Sequence, residues 1–226
     1  MIIDGKECGW IEKQALSTGA ISNDVYGEAA VETGAIKTGM LNSSVLIRTM
    51  DVFLNILAAG AAVVRSNEDL SAASPITFTI DAQPDVPRTI TFHFDSHAQI
   101  TAYSLTITGV NARGETVIET RTEADGFGDW ETSNAFASIT SIEFTRTTGS
   151  GAGDTMDVGI GSKLGLSNKL LAASGVYKVT KNKADYPAAS YTAEAAYHTV
   201  DVSTGGAIVA DDNFVVQYKT PLSLAS

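Results

Sequence analysis

The sequence predicts a mainly β protein: an antiparallel β-sandwich or barrel-like domain behind an extended N-terminal arm that contains a short helix. Three observations carry this. From Ser74 onward, polar and apolar residues alternate in short runs, as in Thr89-Ile90-Thr91-Phe92-His93-Phe94, which sets Ile90, Phe92 and Phe94 on one face of a strand. The runs are rich in Thr and β-branched residues, and Gly, Asn, Asp or Pro clusters separate them. About eight or nine such segments in ~150 residues is the signature of an antiparallel sandwich or barrel.

Residues 1–70 differ in texture and are expected to form an arm or anchoring region, with the β domain over 71–226. The arm has few aromatics and many small residues, and ALSTGAI at Ala15–Ile21 recurs as AVETGAI at Ala30–Ile36. Two copies fall short of the three stacked units a solenoid needs. They indicate an extended, Gly-punctuated segment. Asn42-Ser43-Ser44 then offers an N-cap before VLIRTMDVFLNIL, where Leu46, Met50, Phe53, Leu54 and Leu57 lie close to helical spacing, so a helix is expected there. Ser66–Ser74 (SNEDLSAAS) reads as a linker.

Pro75 opens the strand ITFTI, followed by the run at Thr89–Phe94. In TAYSLTITGV, Tyr103, Leu105 and Ile107 line one side. Asn111-Ala112-Arg113-Gly114 supplies turn chemistry before ETVIETRTE, and the two runs read as a hairpin. Further strands are expected at Ser138–Thr147, Thr155–Ile160, Val176–Lys181, Tyr197–Ser203 and Asn213–Lys219.

With 226 residues and 44% hydrophobic content, the chain can bury a real core. Fifteen Lys and Arg against 26 Asp and Glu give a formal charge of -11, which repels a phosphate backbone and makes nucleic acid and anionic membrane poor partners. The single cysteine, Cys8, excludes an intrachain disulfide and nearly excludes Cys-based zinc coordination. That fits assembly inside a cell. MIIDGKECGW lacks a basic region followed by an apolar run, so no signal peptide is expected. The apolar stretch Val52–Val64 is short of the roughly 20 residues of a membrane span, and a soluble protein is expected.

GDTMDVGIGSKLGL, Gly153–Leu166, has the glycines and lysine of a phosphate loop but not the spacing. Lys163 follows Ser162 rather than a glycine, and Gly165 arrives one residue late for a dinucleotide loop, with no βαβ alternation around it. The remaining reading is a strand with glycine-permitted bends, Leu164 and Leu166 packing on the core.

HFDSH would place His93, Asp95 and His97 on the strand face opposite Phe92 and Phe94, and with the distant His198 it imitates a two-histidine, one-carboxylate iron site. The basic residue such oxygenases use about ten positions after the distal histidine is absent, since the next candidate is Lys219. A solvated strand face running into a turn at Asp95-Ser96 is the expected role. EADGFGDWE gathers Glu123, Asp125, Asp129 and Glu131 without matching an EF-hand loop. It reads as an acidic loop tipped by Phe127 or Trp130 and able to serve as a contact point. There is no Gly-x-Ser-x-Gly elbow, Cys8 has no histidine nearby in sequence, and the pair Asp211-Asp212 sits in a turn-like context. No catalytic, cofactor-binding or metal residues are assigned, and an enzyme is not expected.

Three stretches, Pro87-Arg88-Thr89-Ile90-Thr91, Ser104–Thr116 (SLTITGVNARGET) and Gly153–Leu166, come in an order and spacing that resemble tailed-bacteriophage virion proteins, over about Pro84 to Tyr218. GEAAVETGAIKTGML in the arm is similar to repeats of phage fibre and spike proteins. The resemblance implies a non-enzymatic virion component assembled in the host cytoplasm: a capsid decoration or head-fibre protein, commonly trimeric. Its partners would be the major capsid protein or other virion proteins, with the arm as anchor and the β domain projecting. A tail, baseplate or fibre component is the nearest alternative. A carbohydrate-binding module using Trp130, Tyr103 and Tyr177 is the next.

Overall fold

A computed structural model describes residues 46–122 and 126–221. One compact unit spans Thr49–Tyr218; of a second, Met1–Arg48 with Lys219–Ser226, only residues 46–48 and 219–221 are described, as strand ends. The described residues are mainly β, in antiparallel sheets with a curled half-barrel, and contain no helix of seven residues or more.

The strands are β1 (Leu46–Ile56), β2 (Gly60–Asp69), β3 (Ile76–Thr77), β4 (Arg88–Ser96), β5 (Ile100–Val110), β6 (Thr116–Thr122) and β7 (Trp130–Glu131). Then follow β8 (Ser138–Gly149), β9 (Thr155–Gly165), β10 (Val176–Lys181), β11 (Ala184–Tyr186), β12 (Thr192–Glu194), β13 (Thr199–Asp201) and β14 (Asp212–Pro221). One sheet runs β3-β8-β5-β6, a second β12-β13-β9-β4-β7 with β2 also on β9, and a third β1-β14-β10-β11.

The expected hairpin is present: β5 and β6 pair from Ser104↔Thr122 to Val110↔Thr116. Its turn is fixed by the Asn111 carboxamide, whose oxygen accepts from the backbone N–H groups of Arg113 and Glu115. The predicted strands at 89–94, 138–147, 155–160, 176–181 and 213–219 all occur, whereas ITFTI pairs as a strand only over Ile76–Thr77 and the 197–203 segment only over Thr199–Asp201.

The helix expected after Asn42-Ser43-Ser44 is overturned, because Leu46–Ile56 is strand β1. The segment carries both periods. Leu46, Met50, Phe53, Leu54 and Leu57 suit a helix, but Asp51 and Phe53 alternate with Met50, Val52 and Leu54, and Ile47, Thr49, Val52 and Ile56 are β-branched. Pairing with β14 selects the second. The linker expected over Ser66–Ser74 is likewise strand as far as Asp69, where Glu68 faces Met156 and Asp69 faces Thr155. The repeats at Ala15–Ile21 and Ala30–Ile36 and Cys8 lie outside the described residues.

Two apolar clusters fill the unit. The first holds Ile90, Phe92, Phe94, Tyr103, Leu105, Ile107, Phe144, Met156, Val158 and Ile160; the second holds Phe53, Ile56, Leu164, Leu166, Val179, Val200, Phe214, Val216 and Tyr218. β9 contributes to both, through its first half to one and its last residues to the other. Along one edge it pairs first with β2 and then with β13, while β4 covers the other edge from Ser96↔Thr155 to Arg88↔Leu164. GDTMDVGIGSKLGL is thus mostly a spine strand shared by two cores.

Candidate functional site

Most residues singled out from the sequence have structural employment. In the opening of the spine motif, Gly153 takes φ +77 and Asp154 is buried. Its carboxylate accepts from Ser96 Oγ at 3.1 Å and from the N–H groups of Gln99 and Ile100 at 2.9 Å each, fastening the β4–β5 connection. Replacing Asp154 by alanine strands those donors and is expected to lower the unfolding free energy by about 2–3 kcal/mol, read by denaturant titration. Lys163 points to Glu194, with Nζ–Oε1 at 2.8 Å, and not to an anion-binding loop. Its ammonium is buried enough to lose hydration, but Glu194, Glu131 and Asp201 outweigh that and hold its pKa up.

Arg88, inside the phrase Pro87–Thr91, is fully buried where the two clusters meet. Its Nε donates to Gly161 O at 2.9 Å, Nη2 to the same oxygen at 2.5 Å, and Nη1 to Leu57 O at 2.8 Å, with Asp85 at 3.3 Å. Burial pushes its pKa down from the usual arginine value, opposed by the Asp85 charge. Gly161 is glycine because a Cβ there would collide with the Glu131 carboxylate and Thr89 Oγ1, which hydrogen-bond each other.

The two metal-like stretches converge at one point. His93 Nδ1 bonds Asp129 of the acidic loop, and His93 Nε2 lies 3.6 Å from Asp95 Oδ1. His97 sits beyond the end of β4 and stacks on Phe127, with ring centroids 4.7 Å apart, so it does not join them. His198 is elsewhere, taking the Leu170 N–H on Nδ1 at 3.0 Å. Glu123 and Asp125 lie outside the described residues, and Glu131 bonds Thr89 and Ser162 N. No group of three or more His, Cys, Asp or Glu suited to a metal occurs among the described residues.

The hydrogen bond that His93 Nδ1–H donates to Asp129, reinforced by the charges of Asp129, Asp95 and Asp157, raises the His93 pKa against a smaller desolvation effect. The His198 pKa is lowered, first by desolvation and then by the Arg113 charge. In an NMR titration the two rings are therefore expected to titrate on opposite sides of the ordinary histidine value, His93 above and His198 below. Asp129→Asn should bring His93 down. Because its folded pKa is raised, the His93 contribution to stability is complete below the unfolded-state pKa and fades as pH rises through the folded one.

The aromatics offered for sugar stacking divide. Tyr103 is fully buried and donates to Gly126 O at 2.7 Å, Trp130 stacks on Phe92 at 4.9 Å, and Tyr177 is exposed. Phe127 packs against Phe94, Tyr103 and His97, so the loop's aromatics face inward in good part. Asp212 is buried and pairs with Lys181 at 2.8 Å, while Asp211, at φ +66, bonds its N–H to Ile56 O at 3.0 Å.

The surface feature the sequence did not single out lies on β1. Phe53 turns into the second core, and Asp51 points inward to accept from Ser167 N at 2.8 Å and from Tyr218 OH at 2.8 Å. The alternate residues Met50, Val52 and Leu54 stand outward, 58%, 49% and 61% exposed. Strand alternation puts Val215 and Gln217 of β14 and Lys178 and Thr180 of β10 on the same face, since Gln217 faces Lys178 and Val215 faces Thr180. The alternation of Met50, Val52 and Leu54 with Asp51 and Phe53 was the available signal, hidden by the overlapping helical spacing. No family model, curated protein or solved structure matches this chain in the comparisons made.

Proposed function

We propose that this protein is a non-enzymatic structural component of a tailed-phage virion, a decoration or head-fibre protein bound to the outside of the capsid. The observation that carries this reading is the row Met50, Val52 and Leu54, an apolar strand face left open to solvent, which is the property of a surface made to contact protein. The resemblance over Pro84–Tyr218 supports the virion setting. In this reading the β domain, a sandwich or barrel, projects from the particle, residues before β1 anchor it to the major capsid protein or a neighbouring virion protein, and the protein is a homotrimer assembled in the host cytoplasm. An extended anchor can bind by adding a strand to a sheet edge, where main-chain hydrogen bonds supply affinity.

Imaging of virions that carry a labelled copy of the chain tests the proposal. Label on the head supports it, label on the tail or baseplate reassigns the protein to that organelle, and absence from virions removes the reading. Truncation to test the anchor belongs before β1, because a cut at Ser66 would remove β1 and most of β2, which pairs with β9.

A further inference from the structure

We propose that His198 is an acid-released clasp: its neutral ring fastens the connection after β9, residues 166–172, to the β12–β13 turn, and a second proton on that ring releases the Leu170 end. This holds whether or not the chain is a virion component, since it concerns contacts within one copy.

The clasp has two halves. The His198 carbonyl accepts the Leu166 N–H at 2.9 Å, and its Nδ1 accepts the Leu170 N–H at 3.0 Å. Both leucines are buried in the second cluster, whereas Ser167, Asn168 and Lys169 between them are exposed. His198 does this from φ +55, a left-handed backbone in which histidine, asparagine and aspartate are enriched. Because Nδ1 takes a hydrogen bond it holds a lone pair, and the one proton of the neutral ring sits on Nε2.

A second proton has only Nδ1 to go to, where it meets the Leu170 N–H. The new N–H can turn to Leu170 O, 3.1 Å away, but the Leu170 N–H then loses its acceptor. The added charge is disfavoured as well. Arg113 of the β5–β6 turn, whose Nη1 lies 3.5 Å from Leu166 O, and Lys169 of the connection itself both repel it. Glu115 attracts it, but that carboxylate is already engaged by Arg113 at 2.9 Å, and Glu194, just before the turn, is engaged by Lys163. Desolvation first and these cations next lower the His198 pKa. The stability from the clasp is therefore complete above the unfolded-state value and lost as pH falls through the folded one. The Ser167 and Asn168 N–H groups stay tied to Asp51 and Tyr218, so release begins at Leu170 and widens the apolar surface beside Leu171, already 55% exposed.

Amide hydrogen exchange of the full chain, followed residue by residue by NMR, tests this. Between about pH 7.5 and about pH 5, the protection factor of the Leu170 amide is expected to fall at least about tenfold, while Leu105 and Ile107 in the first cluster keep theirs. His198→Asn tolerates the same φ, offers a carbonyl oxygen to the Leu170 N–H and cannot titrate, so it should keep Leu170 protected at both pH values. Lys169→Gln, at an exposed position, lessens the repulsion and should shrink the wild-type loss. Equal Leu170 protection at the two pH values overturns the inference. So does an undiminished loss in His198→Asn, which would assign the pH response to another group. A parallel loss at Leu105 and Ile107 would mean acid unfolding of the whole unit and overturns it as well.

Discussion

Arg88→Met is expected to lower the unfolding free energy by about 3–5 kcal/mol, the range for removing one member of a buried charged network. Methionine can fill much of the volume but returns none of the hydrogen bonds, so Gly161 O and Leu57 O are left without their guanidinium donors. Arg88→Lys should rescue little, since one ammonium cannot reproduce a planar fork that reaches two carbonyl groups. Arg65→Met is the matched control. Its guanidinium pairs with Glu68 at 2.5 Å and with the half-exposed Asp81 at 2.9 Å, and its loss should cost about 1 kcal/mol or less. Guanidinium denaturation followed by circular dichroism measures all three. An Arg88→Met protein within about 1 kcal/mol of wild type would show that the buried guanidinium is not a keystone between the two clusters.

Phe144→Ala is expected to cost a comparable amount, about 3–5 kcal/mol, through the cavity left at the centre of the first cluster. Phe144 is fully buried on β8 facing Leu105, and its ring stacks with Tyr103 at 5.6 Å and lies edge-on to Phe94 at 6.3 Å. Phe144→Leu keeps much of the volume and should recover roughly half the loss. The exposed Ile118 on β6, at the edge of the same sheet, gives the contrast, because Ile118→Ala removes little buried surface and should stay within about 0.5 kcal/mol of wild type. Equal destabilisation by the two alanine variants would contradict the placement of this core.

Where residues alternate on one period only, local pattern and fold agree. Thr89–Phe94 and Tyr103–Ile107 carry one apolar face each, and the Asn111–Gly114 turn carries its own hydrogen-bonding carboxamide, so strands and hairpin follow from neighbours in sequence. Residues 46–57 carry two periods at once. Their local preferences do not choose between helix and strand, and the choice falls to β14, more than a hundred and fifty residues later.

The acidic loop shows the same division at the level of a site. His93 and Asp95 are two apart on a strand and could be placed on one face directly, but the partner that holds His93 is Asp129, brought there by the pairing of Phe92 with Trp130. His97 looked like the second ligand and instead stacks on Phe127, because β4 ends at Ser96 and the alternation ends with it.

By itself the sequence determined that the protein is mainly β, with strands set by side-chain alternation, a hairpin set by Asn and Gly, and an acidic surface. Those properties depend on residues a few positions apart. Only the tertiary structure decided that β1 is a strand, that GDTMDVGIGSKLGL is a spine between two cores, that Arg88 is buried beneath Gly161, and that Met50, Val52 and Leu54 face outward. Each of these depends on which distant strand lies alongside, and burial and pairing are settled by that neighbour rather than by the residue's own preference.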